Sequence, residues 1–271
     1  MNIGMPMRNS LPRPRPPAPY FVYPRSPAYA SVSNSYRGAH RTYAQYNYLR
    51  PGLIPWMKRR RLEVVLRLAA PWFHKTSVID FGCADGVLLP SLSRYFPHVV
   101  GVDRDPTACA VATAVVRDLA LSNVEILCGT DADIIGVMSA RIATRESRLM
   151  FALETLEHAS ASDAERVDFL RRLFSVMQPG ANVIISVPRT TGPLFLLKHA
   201  AQRALGMVDE PLSVREALRA GLRSDTSGLE SRWRGGHVGF NDRTFERAIR
   251  QSMRIVRRRA TVLSIIYQVA L

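Results

Sequence analysis

The chain has 271 residues, is 47% hydrophobic and carries a formal net charge of +15. That length supports one substantial core, so a single globular domain with appendages is expected. Cys83, Cys109 and Cys128 lack paired spacing, which argues against a disulfide framework or a zinc cluster and suits a reducing compartment. No apolar run approaches the roughly 20 residues of a spanning helix, and no signal-peptide core stands near the start.

The charge is uneven. Residues 1–75 hold 13 Lys and Arg against one acid, Glu63, so +12 of the +15 sits in the N-terminal quarter. Such a segment favours an anionic partner (RNA, a phospholipid surface or a phosphorylated substrate), although the same charge can serve solubility alone. Residues 1–50 read as a basic, Pro/Tyr/Arg-rich disordered tail, with LPRPRPPAP at 11–19 favouring an extended backbone. Seven of the nine tyrosines fall in it, interleaved with arginine, a pattern that can hold single-stranded nucleic acid. Tyr43, Tyr46 and Tyr48 are instead expected to pack as a lead-in to the domain.

From residue 51 onward the pattern is regular. Leu62, Val65, Leu66 and Ala69 recur at helical spacing over 56–70. SVIDF (77–81) reads as a strand, GVLLPSLSRYF (86–96) as a helix and VVGVD (99–103) as a strand. A helix opens at Pro106. VEILC (124–128) is a strand, followed by a weak helix near 131–141, and RLMFAL (148–153) is a strand. Ser162-Asp163-Ala164-Glu165 reads as a capping box opening a helix. NVIISVP (182–188) is a strand, a helix starts near Asp242, and IVRRR with VLSIIYQVAL supplies a final antiparallel hairpin. Strands alternating with helices imply a parallel sheet covered on both faces.

Three motifs fall at the carboxyl ends of strands, where open α/β sheets bind ligands. In DFGCADG, Gly82 and Gly86 permit unusual backbone angles and close approach of a ligand to the main chain. Asp103 ends the second strand, about where an acid can accept hydrogen bonds from the hydroxyls of a ribose. The loop lacks both G-x-G-x-x-G and G-K-[ST], so neither a dinucleotide nor a P-loop site is indicated. ALETLEHA (152–159) places Glu154, Glu157 and His158 after the fourth strand. In a helical turn these share one face and can bind a divalent cation such as Mg, which would activate a substrate hydroxyl. Alternatively His158 alone acts as general base.

The ordered series hhDhGCxxG, GVD, GTDAD, ETLEH and QPGANVIISVP, from about 56 to 250, is similar to class I S-adenosylmethionine-dependent methyltransferases. The resemblance implies a Rossmann-like three-layer αβα sandwich, with a mostly parallel seven-stranded sheet, over residues 51–271. It implies that Asp80 reaches the methionine amino group and that Gly82, Cys83, Ala84 and Gly86 line the methionine and ribose. Asp103 would bind the ribose, Arg104 would lie beside the adenine, Asp131 and Ala132 would meet its edge, and Leu153 would close over the cofactor. E-x-x-E-H resembles ubiquinone-pathway O-methyltransferases and the enzymes that methylate the terminal 2′-hydroxyl of small RNAs. In the RNA branch His237 would join Glu154, Glu157 and His158 as a metal ligand, though the accompanying Glu-Trp is missing here. Glu154 and His158 are the candidate catalytic residues.

Residues 189–236 form a long connection, read as a lid or insertion. Leu194, Phe195, Leu196 and Leu197 precede Lys198, His199 and Arg203, a grouping that can cover a site or touch a membrane surface. The stretch TTGPLFLLKHAAQRALG resembles a segment of bacterial methyltransferases of glycan and lipid-linked sugar assembly. The expected activity is O-methylation of a small-molecule, glycan or lipid-linked acceptor, in a cytoplasmic protein with peripheral membrane contact as an option. Metal-assisted 2′-O-methylation of RNA and a non-catalytic adenosine-binding module are the alternatives.

Overall fold

A computed structural model describes residues 19–30, 42–130, 133–142, 147–204, 212–233 and 238–271. Seven strands form one sheet: β1 (Ser77–Phe81), β2 (Val99–Asp103), β3 (Val124–Cys128), β4 (Ser147–Leu153), β5 (Asn182–Pro188), β6 (Arg254–Ala260) and β7 (Ser264–Ala270). Their order is β3-β2-β1-β4-β5-β7-β6. The pairs among β1 to β5 are parallel, and β7 runs antiparallel to both β5 and β6. This is the expected Rossmann-like architecture with an antiparallel C-terminal hairpin. The strand order reverses between β1 and β4, and in open α/β sheets the ligand crevice lies at the carboxyl ends of the strands at such a reversal.

The central strands are buried on both faces, with successive residues on opposite sides of the sheet. Ile79, Val100, Val102, Met150, Val183 and Ile185 face one side, against α4 (Ile134–Ile142), α5 (Asp163–Ser175) and α8 (Asp242–Ser252). Val78, Val99, Leu149, Phe151 and Ile184 face the other, against α1 (Leu53–Ala69), α2 (Leu89–Tyr95) and α3 (Pro106–Asp118). Each large side chain enclosed in this way stabilises the fold by about 1.5–3 kcal/mol.

The helix ends follow local chemistry. Asp105 caps α3 by accepting the Thr107 and Ala108 N–H groups, with Pro106 as the first helical residue. At α5 only half of the expected capping box forms. Ser162 Oγ accepts the Glu165 N–H, but the Glu165 carboxylate takes the Ser160 hydroxyl. Asn241 caps α8.

The 1–50 tail expectation needs correction where the structure describes it. Tyr29, Ala44 and Tyr48 are buried among α1, α2 and α3. Residues 19–30 and 42–50 therefore pack on the domain, as foreseen only for the later tyrosines. Polar contacts hold them: Glu63 accepts the Phe21 N–H, Ser91 Oγ accepts the Val22 N–H, and Asp85 accepts the Ala44 N–H. The long connection after β5, expected as a lid or insertion, is helical where described. It contains α6 (Pro193–Ala204), α7 (Val214–Leu218) and a π-helical turn over Arg219–Arg223. Phe195, Leu212, Ala217, Ala220 and Leu229 give it a small core of its own. At Gly221 a Cβ would stand 2.1 Å from Leu196, so glycine lets the turn press onto α6.

Candidate functional site

The crevice is built from four segments: the loop after β1, the tip of β2, the turn after β4 and residues 42–61. In the loop, Gly82, Ala84 and Gly86 have φ of 76°, 46° and 75°. This left-handed backbone favours glycine, and Ala84 adopts it with the smallest side chain that has a Cβ. The glycines serve packing as well as access. A Cβ on Gly82 would lie 2.3 Å from Thr155 Oγ1, and one on Gly86 would lie 2.7 Å from Leu89. The first crossover is thus pulled against the turn after β4 and against α2.

Asp103 pins this loop. Its Oδ2 accepts the Ala84 N–H at 2.7 Å and its Oδ1 accepts the Asp105 N–H at 3.0 Å. A carboxylate has about four lone-pair sites, so each oxygen keeps accepting capacity beyond these bonds. Asp80 lies at the base of the loop, buried. Burial, helped by the charge of Asp103, pushes its carboxyl up to about 7. Asp85 is also buried, which pushes it up to about 6 despite its N–H bonds from residues 43 and 44. Cys83 is enclosed; burial and then the neighbouring carboxyls raise its thiol well above the ordinary range, so it stays protonated and is not a nucleophile. Arg104 is exposed beside Asp103, and Leu153 is partly buried at the end of β4. Asp131 and Ala132 lie outside the described residues.

After β4 the backbone does not continue as one helical face. Glu154 is left-handed, at φ 54°, and only Leu156–His158 form a 3-10 turn. The three E-x-x-E-H side chains therefore diverge. Glu154 points inward, 2.7 Å from the Arg61 guanidinium, and its Oε1 also accepts the Ser186 hydroxyl at 3.2 Å. Glu157 is fully buried, and burial followed by the Glu154 charge raises its carboxyl well above the usual range. His158 is about one-third exposed, with Nε2 at 3.8 Å from Glu157.

This arrangement does not fit the expected metal set of Glu154, Glu157, His158 and His237. A cation on Glu154 would compete with a guanidinium, and Glu157 is enclosed, where burial disfavours its charged form. His237 is outside the described residues. Among the described residues no cluster of His, Cys, Asp or Glu is disposed to hold a metal ion.

Arg61 belongs to the site although no motif marks it. It is buried at 4% exposure and bonds the Tyr48 hydroxyl as well as Glu154. Burial alone would lower its pKa, but Tyr48 and Glu154 raise it, so it is a permanent cation under the crevice. Its place four residues before Val65 and seven before Leu68, on the apolar stripe of α1, was the signal available in the sequence. On the far side, Lys198 of α6 donates to the Arg189 carbonyl at 2.8 Å, and Trp233 Nε1 donates to the Glu157 carbonyl at 3.1 Å. The insertion therefore packs on the turn that carries His158.

Residues 54–220 match the family model described as "Methyltransferase domain". No curated protein matches the chain closely enough to count as a relative. Several solved structures share the fold. A SAM dependent methyltransferase from Aquifex aeolicus is 17% identical over 79% of this chain and 96% of that one, with a TM-score of 0.50. The N-methyltransferase NodS from Bradyrhizobium japonicum WM9, in complex with S-adenosyl-L-homocysteine, is 13% identical over 79% and 86%, at 0.50. Magnesium protoporphyrin IX methyltransferase from Synechocystis PCC 6803, also with bound S-adenosylhomocysteine, is 15% identical over 81% and 88%, at 0.51.

Proposed function

Because the chain belongs to the methyltransferase-domain family, we propose that it moves a methyl group from S-adenosylmethionine to a hydroxyl oxygen of a glycan, lipid-linked or other small acceptor. The observation that carries the cofactor part is the Asp103 carboxylate bonded to Ala84 at the strand-order reversal. It ties the loop beneath the methionine end to the acid that would take the ribose. The residues fit such a ligand: Asp103 keeps lone pairs for two hydroxyls, and Asp80 is a buried acid whose ionised form an ammonium would stabilise. When bound, S-adenosylmethionine supplies an electrophilic methyl on a sulfonium.

The chain's own residues would orient and deprotonate. Gly82, Cys83, Ala84 and Gly86 would line the cofactor, with Arg104 and Leu153 beside the nucleoside. His158, partly exposed at the crevice, takes the acceptor's hydroxyl proton at Nε2. Glu154, held by Arg61 and Ser186, acts as a fixed negative charge beneath the transfer path. Most of the rate enhancement would come from alignment of sulfonium and oxygen. Oxygen is favoured because no N/D-P-P-Y amine signature is present.

The test is calorimetric titration with S-adenosylhomocysteine, followed by incubation with labelled S-adenosylmethionine and fractionated glycans, lipids, RNA and small molecules. Wild-type binding with loss of at least about 100-fold in Asp103→Ala supports the site. Unchanged affinity in the variant sinks it. Binding without label transfer to any fraction would favour the non-catalytic module.

A second reading, RNA 2′-O-methylation, is favoured by one observation. Arg243, Arg247, Arg250, Arg254, Arg257, Arg258 and Arg259 are exposed on α8 and β6. Of these, Arg250 and Arg258 are taken by Glu246. RNA binding would be steeply salt-dependent and would weaken when the exposed Arg254 and Arg257 are replaced by Gln. Label in the RNA fraction alone would replace the first reading with this one.

A further inference from the structure

We infer that the outer face of the insertion after β5 is a docking surface for an anionic lipid bilayer, which would present a lipid-linked acceptor to the crevice. For its biological purpose this rests on the proposed acceptor class, but its geometry is independent of that reading. The solvent side of α6 is made by Pro193, Leu194, Leu197, Ala200, Ala201 and Ala204, an almost unbroken apolar stripe at helical spacing. The next helical stretch exposes Val214, Leu218 and Leu222, each four residues apart. Leu197, Val214 and Leu222 are 68%, 70% and 68% exposed, more than an isolated surface apolar residue requires.

Charge selects the occupant. Arg203, Arg215 and Arg223 are exposed next to these apolar residues. The carboxylate of α7 is already engaged: Glu216 accepts the Ser213 N–H at 2.7 Å and lies 3.1 Å from Arg232. Apolar side chains flanked by arginines suit the boundary between acyl chains and negative headgroups. A second copy of a chain with net charge +15 would bring like charge against like charge. Position matters equally. The inner side of α6 carries Lys198, which donates to the carbonyl of Arg189, the residue just past the carboxyl end of β5, at 2.8 Å. The same helix therefore has one face on the crevice and one on the solvent, so lipid contact would place the crevice at the membrane boundary. The insertion is held as a unit by Leu196 packed on Gly221, which allows docking without unfolding.

The test is sedimentation of the full chain with phosphatidylcholine vesicles and with vesicles rich in phosphatidylglycerol, comparing wild type with Leu197→Glu/Leu222→Glu. Both substitutions are at exposed positions. Wild type should bind the anionic vesicles, and the double variant at least about tenfold more weakly. Affinity of both for S-adenosylhomocysteine, measured in parallel, should be equal. That measurement separates failure of docking from failure of the methyltransferase site. Absence of wild-type binding overturns the inference. So does equal binding by the variant, which would assign lipid contact to the basic N-terminal segment. A wild-type dimer dissolved by the substitutions would overturn it in favour of a second copy, and selective retention of RNA at this face would do the same.

Discussion

Arg61 Nη1 lies 2.7 Å from Glu154 Oε1, and this ion pair joins helix α1 to the turn after β4 beneath the crevice. Both groups are largely enclosed. Removing one partner of such a pair leaves an uncompensated charge and costs about 3–5 kcal/mol. Arg61→Met should therefore lower unfolding free energy by an amount in that range in urea denaturation. Arg61→Met/Glu154→Gln should recover most of the loss. If the single and double variants are equally unstable, the pair is not the source of the effect.

Asp80 and Asp85 contribute to the pH response, alongside the buried Glu157. Both aspartyl carboxyls are raised by burial, to about 7 and about 6. A raised folded-state pKa gives stability that is complete below the unfolded value near 4 and is lost as pH rises through the folded one. The ligand-free protein should lose stability between about pH 4 and 7 and level off above that, and Asp80→Asn should flatten that decline in thermal melts. Binding has the opposite sense. An ammonium near Asp80 favours the ionised acid, so affinity for S-adenosylhomocysteine should rise with pH across the same window. PH-independent affinity would remove Asp80 from the ligand's amino group.

Gly82 should tolerate no side chain. Its φ of 76° is left-handed, and an added Cβ would meet Thr155 Oγ1 at 2.3 Å. Gly82→Ala should destabilise by about 1–3 kcal/mol through strain and overpacking. Adding Thr155→Ala should restore the packing part and leave the backbone part. No gain in the double variant, measured by denaturant midpoint, would show that Thr155 is not what fills the space.

His158→Ala should separate binding from turnover. The ring is partly exposed, with Nε2 at 3.8 Å from Glu157. Once an acceptor is known, kcat should fall by about 100-fold or more, with affinity for S-adenosylhomocysteine unchanged. Equal losses in both would assign the ring a structural task.

The alternation of strands and helices was readable because each strand alternates or is wholly apolar, and each crossover carries its own turn residues. The Asp103 position was readable for the same reason, being the last residue of such a strand. Three features were not readable. The left-handed angle at Glu154 depends on how β4 leaves the sheet, and it disperses side chains that linear spacing places together. The partners of residues 19–30 and 42–50 are remote in sequence: Glu63, Asp85 and Ser91 receive N–H groups from Phe21, Ala44 and Val22. Arg61 sits in a run of four cations, where only its register with Val65 and Leu68 marks it as inward.

β7 follows β6 in the chain yet lies between β6 and β5. During synthesis β6 therefore leaves the ribosome with no neighbouring strand to join, and it docks only after the segment made later has slotted in beside β5. The edge of the sheet is completed in a single late event. Nascent chains arrested after Ala260 should stay open to protease along α8 and β6, while those extended beyond Ala270 become resistant in one step.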